Sequence, residues 1–391
     1  MSEENIKCIL GKVFNNLADT IETGEFGEKI KIGITLLGSE HGIYNIVKGA
    51  EMAQQKDSSL EVILIGPEVE TDLKIYPADT QEKQHKKMEE LLDMGEIQAA
   101  VTMHYNFPIG VSTIGRVVTP GKGKEMLIAT TTGTSSVNRT EGMVKNAIYG
   151  IITAKTIGIQ NPTIGILNVD GARQVERALK ELNSNGYNIN FAESIRKDGG
   201  CIMRGNDLLT ATPDIMVSDS LTGNLLMKVF SSYTTGGDYE AIGYGYGPGI
   251  GEGYQRNILI LSRASGEPVI ANAILYATQL VRGKIMEVSK KEFERVKKAN
   301  LQGILRELKK DVKKEKIEEV KMPSKEVVAA SIAGIDILEL EDAVKMLWKN
   351  GIYAESGMGC TGPIVMVSER KQDQAIKILS QEGYITQRSG C

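Results

Sequence analysis

Between Lys29 and Gly283 the chain alternates short, uninterrupted apolar runs with longer amphipathic stretches, and this rhythm constrains its fold more than any other feature. The apolar runs are IKIGITL at 30–36, EVILIGP at 61–67, AAVTMHY at 99–105, EMLIATT at 125–131, TIGILNV at 163–169, INFAES at 189–194, DIMVSDS at 214–220 and NILILSR at 257–263. Runs without polar alternation are the mark of strands buried on both faces, as in a parallel sheet covered by helices. The stretches between them have helical spacing, for example GARQVERALKELNSNG with Val175, Leu179 and Leu182 on one face. The prediction is a doubly wound, mainly parallel α/β sheet with its ligands at the carboxyl ends of the strands.

Past Gly283 the pattern changes. Residues 290–321 hold twelve Lys or Arg against seven acids, a net charge of 12 − 7 = +5, with Phe293, Val296, Leu301, Ile304, Leu308 and Val312 at helical spacing. This predicts one long amphipathic, solvated connecting helix. From about Pro323 the order helix, strand, glycine-rich turn, strand, helix predicts a small α/β domain. The expected division is a body over 1–289, a connecting helix over 290–322 and a small domain over 323–391.

Composition removes several classes of function. The formal charge of −4 over 391 residues gives no basic excess of the kind that binds nucleic acid or an anionic membrane surface. The four cysteines, Cys8, Cys201, Cys360 and Cys391, follow no disulfide or zinc spacing. No secretory leader and no apolar stretch of membrane-spanning length is visible, so a cytoplasmic protein is expected. His41, His85 and His104 are too dispersed to suggest a metal set, and no metal or cofactor is expected. The Walker phosphate loop, the dinucleotide glycine fingerprint and the nucleophile elbow are all missing.

Four segments carry candidate chemistry. In DSLTGNLLMK, Asp219 to Lys228, a buried strand gives way to a helix, so Thr222, Gly223 and Asn224 fall at a helix start that favours an anion, with Lys228 one turn below Asn224. Its alternative is a plain helix cap beside a surface lysine. In 243–254, GYGYGPGIGEGY has a glycine at every odd position from 243 to 253; that forbids a helix and suggests a lid over a site, or a long structural loop. The strand ends GSEHG (Ser39, His41), MHYN (His104), TTTGTSS (Thr131) and NVDGAR (Asn168) place polar groups beside glycine, the composition of a polar cleft. Finally, ESGMGCTGP sets Cys360 among Gly357, Gly359 and Gly362, where an uncrowded thiol beside backbone amides is suited to act as a nucleophile.

With GILNVDG at 165–171, the DSLTGNLLMK segment resembles the phosphate acyltransferases of phospholipid synthesis, whose pattern is a strand, DGFTGN, an apolar pair and a lysine. Ser220 and Leu221 stand where those enzymes have Gly-Phe. That resemblance covers approximately residues 30–290. It implies the three-layer sandwich shared by isocitrate-dehydrogenase-like and phosphate acyltransferase folds. Over its whole length, through GMGCTGP, the chain resembles the alpha subunits of component C of glycine, sarcosine and betaine reductase complexes. This second resemblance implies an acyltransferase that releases acetyl phosphate from an acetyl thioester by phosphorolysis. It makes Cys360 the acetyl-carrying thiol and assigns Asp219, Thr222, Gly223, Asn224 and Lys228 to the phosphate site. The partners it implies are inorganic phosphate, a component C beta subunit and selenoprotein A, within an oligomer. Two alternatives remain: an acyltransferase acting directly on an acyl carrier thioester, and a subunit without catalytic activity.

Overall fold

The computed structural model describes residues 11, 14, 29–196, 200–311, 320–336, 339–359 and 362–385. Within them the chain forms two compact units, 1–167 with 187–299 and 168–186 with 300–391.

The first unit is built on one twelve-stranded sheet. Its strands are β1 Ile30–Thr35, β2 Leu60–Gly66, β3 Lys74–Pro77, β4 Ala99–Thr102, β5 Val111–Val118, β6 Glu125–Thr134, β7 Thr163–Leu167, β8 Asn190–Phe191, β9 Ile202–Met203, β10 Ile215–Val217, β11 Gly247–Ile250 and β12 Ile258–Ile260. Every apolar run named above contributes a strand. The order is β3-β2-β1-β4-β12-β11-β5-β6-β10-β7-β8, with β9 also paired to β7. Neighbours are parallel except around β11, which is antiparallel to β12 and β5, and at β5, which is antiparallel to β6. The sheet is therefore mostly parallel, with a reversal at its centre: β6, β7 and β10 run opposite to β1, β4 and β12.

That reversal corrects the expectation of a lid over 243–253. Residues 246–251 are buried, and Gly247–Ile250 is a central strand. Gly247 has φ 82°, and a Cβ there would lie 1.7 Å from the Ile114 carbonyl oxygen. Only glycine fits both the backbone and the neighbouring strand, so the glycines here serve close strand packing.

Helices cover both faces of the sheet. α1 (Ile43–Lys56), α2 (Gln81–Asp93) and α3 (Arg139–Thr156) follow strands of the first unit, and α4 (Ala172–Ser184) lies in the second. α5 (Gly205–Leu209), α6 (Ser220–Ser232), α7 (Glu267–Arg282) and α8 (Ile285–Lys298) complete the first unit. Successive residues of a strand face opposite ways. Ile63, Ile65, Ile128 and Met216 share one core cluster with Met88 of α2 and with Met227 and Phe230 of α6. The alternate residues face the other side, where α1 packs on α7 and α3 lies along β6 and β10. This is the expected three-layer arrangement. Among the described residues no helix is long and apolar enough to cross a membrane.

The single helix expected over 290–321 is interrupted. α8 ends at Lys298, Asn300 takes φ 63°, and a new helix, α9, runs Leu301–Asp311. Asparagine tolerates the left-handed region better than most residues and ends a helix there as glycine would. α8 belongs to the first unit and α9 to the second.

The second unit holds a three-stranded antiparallel sheet, β13 (Ala330–Ala333), β14 (Ala354–Gly359) and β15 (Gly362–Val367), in the order β13-β15-β14. α10 (Leu340–Lys349) and α11 (Gln372–Gln381) supply Val344, Leu347, Ala375 and Leu379 to a core shared with Ile332, Val365 and Val367. The strand β13 is an addition to the expected order. Within this unit Arg177 of α4 pairs with Glu339.

Candidate functional site

The turn from β10 into α6 has the geometry of a fully capped helix. Asp219 Oδ1 accepts from the amides of Leu221 and Thr222, both at 3.1 Å, and Oδ2 accepts from Thr222 Oγ1 at 2.7 Å. The strand end beneath it is fixed by Asn146, which donates to the Ser218 carbonyl at 3.2 Å and accepts from Ser112 Oγ at 3.0 Å. Asp219 Oδ2 also accepts from Arg139 Nη2 at 2.9 Å. Burial acts to raise the Asp219 pKa, but the Thr222 bonds and the Arg139 guanidinium outweigh it and hold the carboxyl below its ordinary value.

Two helix starts thus meet at the carboxyl ends of adjacent parallel strands. Arg139 is the first residue of α3, whose cap Asn138 accepts from the Glu141 amide at 2.9 Å. The first amides of α6 are already occupied by the chain's own carboxylate. A phosphate at this turn would therefore meet the half-exposed Arg139 guanidinium before it met the helix amides. Arg139 lay outside the sequence expectations. The available signal was a cation at the start of a helix that follows the polar strand end TTTGTSS.

Gly223 is where α6 crosses closest to the sheet: a Cβ there would sit 1.8 Å from the Thr130 carbonyl oxygen. One residue on, Asn224 Nδ2 donates to the Thr131 carbonyl at 3.0 Å. The buried Thr131 hydroxyl donates to the Tyr246 carbonyl at 2.7 Å. Lys228 extends over the Tyr246 ring, 5.9 Å from its centroid. Tyr246 OH in turn donates to Glu240 at 3.0 Å, and Ser265 Oγ donates to the same carboxylate at 2.9 Å. Asn224, Thr131 and Lys228 are thus gathered around Tyr246. Asp219 is nine residues before Lys228, roughly 13 Å along the helix axis.

Ser39 and His41 follow β1 and form a separate group. Ser39 Oγ accepts from the His41 amide at 3.1 Å, and the exposed His41 ring stands edge-on to Tyr239 at 5.9 Å. Because β1 runs opposite to β6 and β10, these residues leave the edge of the sheet opposite to the Asp219 turn. Their link to Lys228 runs through the segment from Tyr239 to Tyr246. The expectation that all strand ends face one edge does not survive the central reversal. Asn168 directly follows β7 and falls in the second unit.

At the end of β4 the structure collects groups that the sequence scatters. Thr35 Oγ1 donates to Thr102 Oγ1 at 2.8 Å, His85 Nε2 lies 3.4 Å from Thr102 Oγ1, and Tyr105 OH donates to Glu89 at 2.7 Å. Burial, with His104 nearby, lowers the His85 pKa. In sequence, His85 sits in a lysine-rich helix, QEKQHKKMEELLD, which carries no local sign of these partners.

Cys360 and Thr361 lie outside the described residues; Gly359 and Gly362 pair on either side of them. Among the described residues no group of three or more His, Cys, Asp or Glu is arranged to hold a metal ion.

The family described as Fatty acid synthesis protein matches residues 30–366. The chain is 64% identical over 382 residues to the glycine/sarcosine/betaine reductase complex component C subunit alpha of Peptoclostridium acidaminophilum, covering 97% of this chain and 99% of that one. It is 26% identical over 240 residues to a phosphate acyltransferase of Thermotoga petrophila, covering 51% of this chain and 67% of that one. Among solved structures, a branched-chain phosphotransacylase from Enterococcus faecalis V583 aligns over 64% of this chain and 99% of its own, with 17% identity and a TM-score of 0.45.

Proposed function

Because this chain belongs to the Fatty acid synthesis protein family and, within it, to the component C alpha subunits of glycine/sarcosine/betaine reductase complexes, we propose that it transfers an acetyl group from a thioester on Cys360 to inorganic phosphate. The observation that carries this reading is the extent of the likeness. Phosphate acyltransferase relatives match half of the chain, whereas the component C relative matches nearly all of it, including the stretch that holds Cys360. The phosphate acyltransferase relatives and the component C relative together support a phosphotransacylase-type role. The thioester on Cys360 is the part of the reading that this proposal adds.

In the proposed step a phosphate oxygen attacks the thioester carbonyl carbon, the carbonyl oxygen becomes an oxyanion, and its collapse breaks the carbon–sulfur bond. Acetyl phosphate leaves, and Cys360 returns as the thiolate. Sulfur shares its lone pair poorly with the carbonyl, so the thiolate is a ready leaving group. Arg139 would hold the phosphate, and Asp219, itself fixed by the Thr222 hydroxyl, would orient the guanidinium. Lys228, one helical turn below Asn224, would stabilise developing negative charge. The reductase complex would supply the acetyl group through a component C beta subunit and selenoprotein A.

Incubating the wild type and Cys360→Ala with acetyl phosphate, mapping acetylated residues by mass spectrometry and following arsenate-dependent acetyl phosphate breakdown tests this. Acetylation at Cys360, with turnover lost in the variant, is the expected result. Full turnover in Cys360→Ala would overturn the thioester and leave direct transfer from an acyl carrier.

A further inference from the structure

At the amino ends of β7 and β8, a cleft of about 510 Å³ opens between the last turn of α3, the segments that lead into the two strands, and one side of α8. That volume is typical of a small-molecule site. Because β7, β8 and β10 are parallel, the cleft lies at the edge of the sheet opposite to the Asp219 turn. Lys155 in its wall stands sixteen residues after Arg139 on α3, roughly 24 Å along the helix axis. The cleft is therefore separate from the phosphate site described above. Its walls are fixed, since Gly283, between α7 and α8, presses against the end of α3 so closely that a Cβ there would lie 1.9 Å from the Thr156 carbonyl oxygen.

On the floor, buried Glu292 accepts from Tyr187 OH at 2.8 Å and pairs with Lys155 at 2.9 Å and Arg295 at 3.0 Å. These contacts hold both cations in place without consuming their donors, because an ammonium has three protons and a guanidinium five. The Lys155 side chain is only 20% exposed, and its ammonium meets no other acceptor among the described residues. Lys291, exposed on the same side of α8, forms no ion pair among them. The cleft thus sets three cations against one carboxylate, a net charge of +2. Beside them stand the carboxamides of Gln160, Asn161 and Asn188, none bonded to another described side chain. A carboxamide both donates and accepts, as a hydroxyl partner must. No aromatic side chain lines the cleft, so a nucleobase would find nothing to stack on.

We propose that this cleft binds a small hydroxylated dianion: a short carbon chain that carries either two carboxylates or one phosphate monoester, with at least one hydroxyl. Its two charges match the net charge of the cleft. Lys155, Lys291 and Arg295 would take the anionic oxygens in charge-assisted bonds, and the carboxamides would take the hydroxyls. This site stands whichever acyl donor the Asp219 region uses.

Isothermal titration calorimetry of the full chain with malate, ribose 5-phosphate and succinate tests it. Malate or ribose 5-phosphate is expected to bind once per chain, whichever binds identifying the headgroup, with succinate weaker for want of a hydroxyl. Lys291→Ala, at an exposed position, is expected to weaken that binding about tenfold, and Arg139→Ala to leave it unchanged. Should Lys291→Ala fail to fold, Asn188→Ala decides, since it is expected to weaken the hydroxylated ligand and not succinate. Absence of binding by both hydroxylated ligands at millimolar concentration would overturn the proposal. So would binding that Lys291→Ala leaves intact, binding that Arg139→Ala weakens, or succinate held as tightly as the hydroxylated ligand.

Discussion

Arg139 and Asp219, eighty residues apart in sequence, are joined by a 2.9 Å ion pair that ties the first residue of α3 to the cap of α6. The carboxylate also receives two amides and a hydroxyl from its own helix, so it holds that turn rigid while presenting a cation beside it.

Replacing that cation separates binding from folding. Arg139→Ala is expected to change stability by less than about 1 kcal/mol, because the guanidinium is half exposed. A lost charge-assisted bond to phosphate is worth about 1.5–3 kcal/mol. The KM for phosphate or arsenate in acetyl phosphate turnover should therefore rise about tenfold or more. An unchanged KM would remove Arg139 from the phosphate site.

Gly223→Ala tests the crossing of α6 over β6. With a Cβ 1.8 Å from the Thr130 carbonyl, the helix must move or the strand must bend, at a cost of about 3 kcal/mol. Gly205→Ala, where nothing lies within 4 Å, is the control and should be neutral or mildly stabilising. Urea unfolding midpoints of the two variants measure the difference.

Glu292 is a buried carboxylate held by Lys155 at 2.9 Å, Tyr187 OH at 2.8 Å and Arg295 at 3.0 Å. Burial pushes its pKa up, but these partners prevail and the net shift is downward. Its contribution to stability is thus complete above the unfolded value of about 4.3 and is lost as pH falls through the lower folded value. Glu292→Ala, which strands a mostly buried lysine, should cost about 3 kcal/mol by urea titration at pH 7 and much less at pH 3.

His85 reports on the end of β4. Its folded pKa is lowered, so the unfolded chain takes up a proton first as pH falls. Stability should decline as pH drops below about 6.5, until the folded form protonates as well. In His85→Gln that part of the pH dependence should vanish, as read from thermal midpoints between pH 5 and pH 8.

Much of the fold was legible because parallel strands announce themselves locally. A run such as EVILIG has no solvent side, and its composition says so. β5 and β11 were not legible. VSTIGRVV carries Ser112, Thr113 and Arg116, and GPGI has almost no side chains to read. Both strands exist because their neighbours accept them, and glycine at 247 looks like loop chemistry until the Ile114 carbonyl is seen beside it. The break at Asn300 was equally hidden, since the apolar spacing continues across it and only the backbone turn ends the helix.

By itself the sequence determined most of the buried parallel strands, the family resemblance and the strand-to-helix turn at Asp219, because each depends on residues within one or two helical turns of one another. Tertiary structure decided which way the strands run, that Ser39 and His41 leave a different edge from Asp219, that Arg139 stands beside the capped turn, and that Lys228 rests on Tyr246. Those outcomes follow from strand pairing and helix crossing between segments separated by tens to hundreds of residues, where direction and distance are set by packing and carry no local signature.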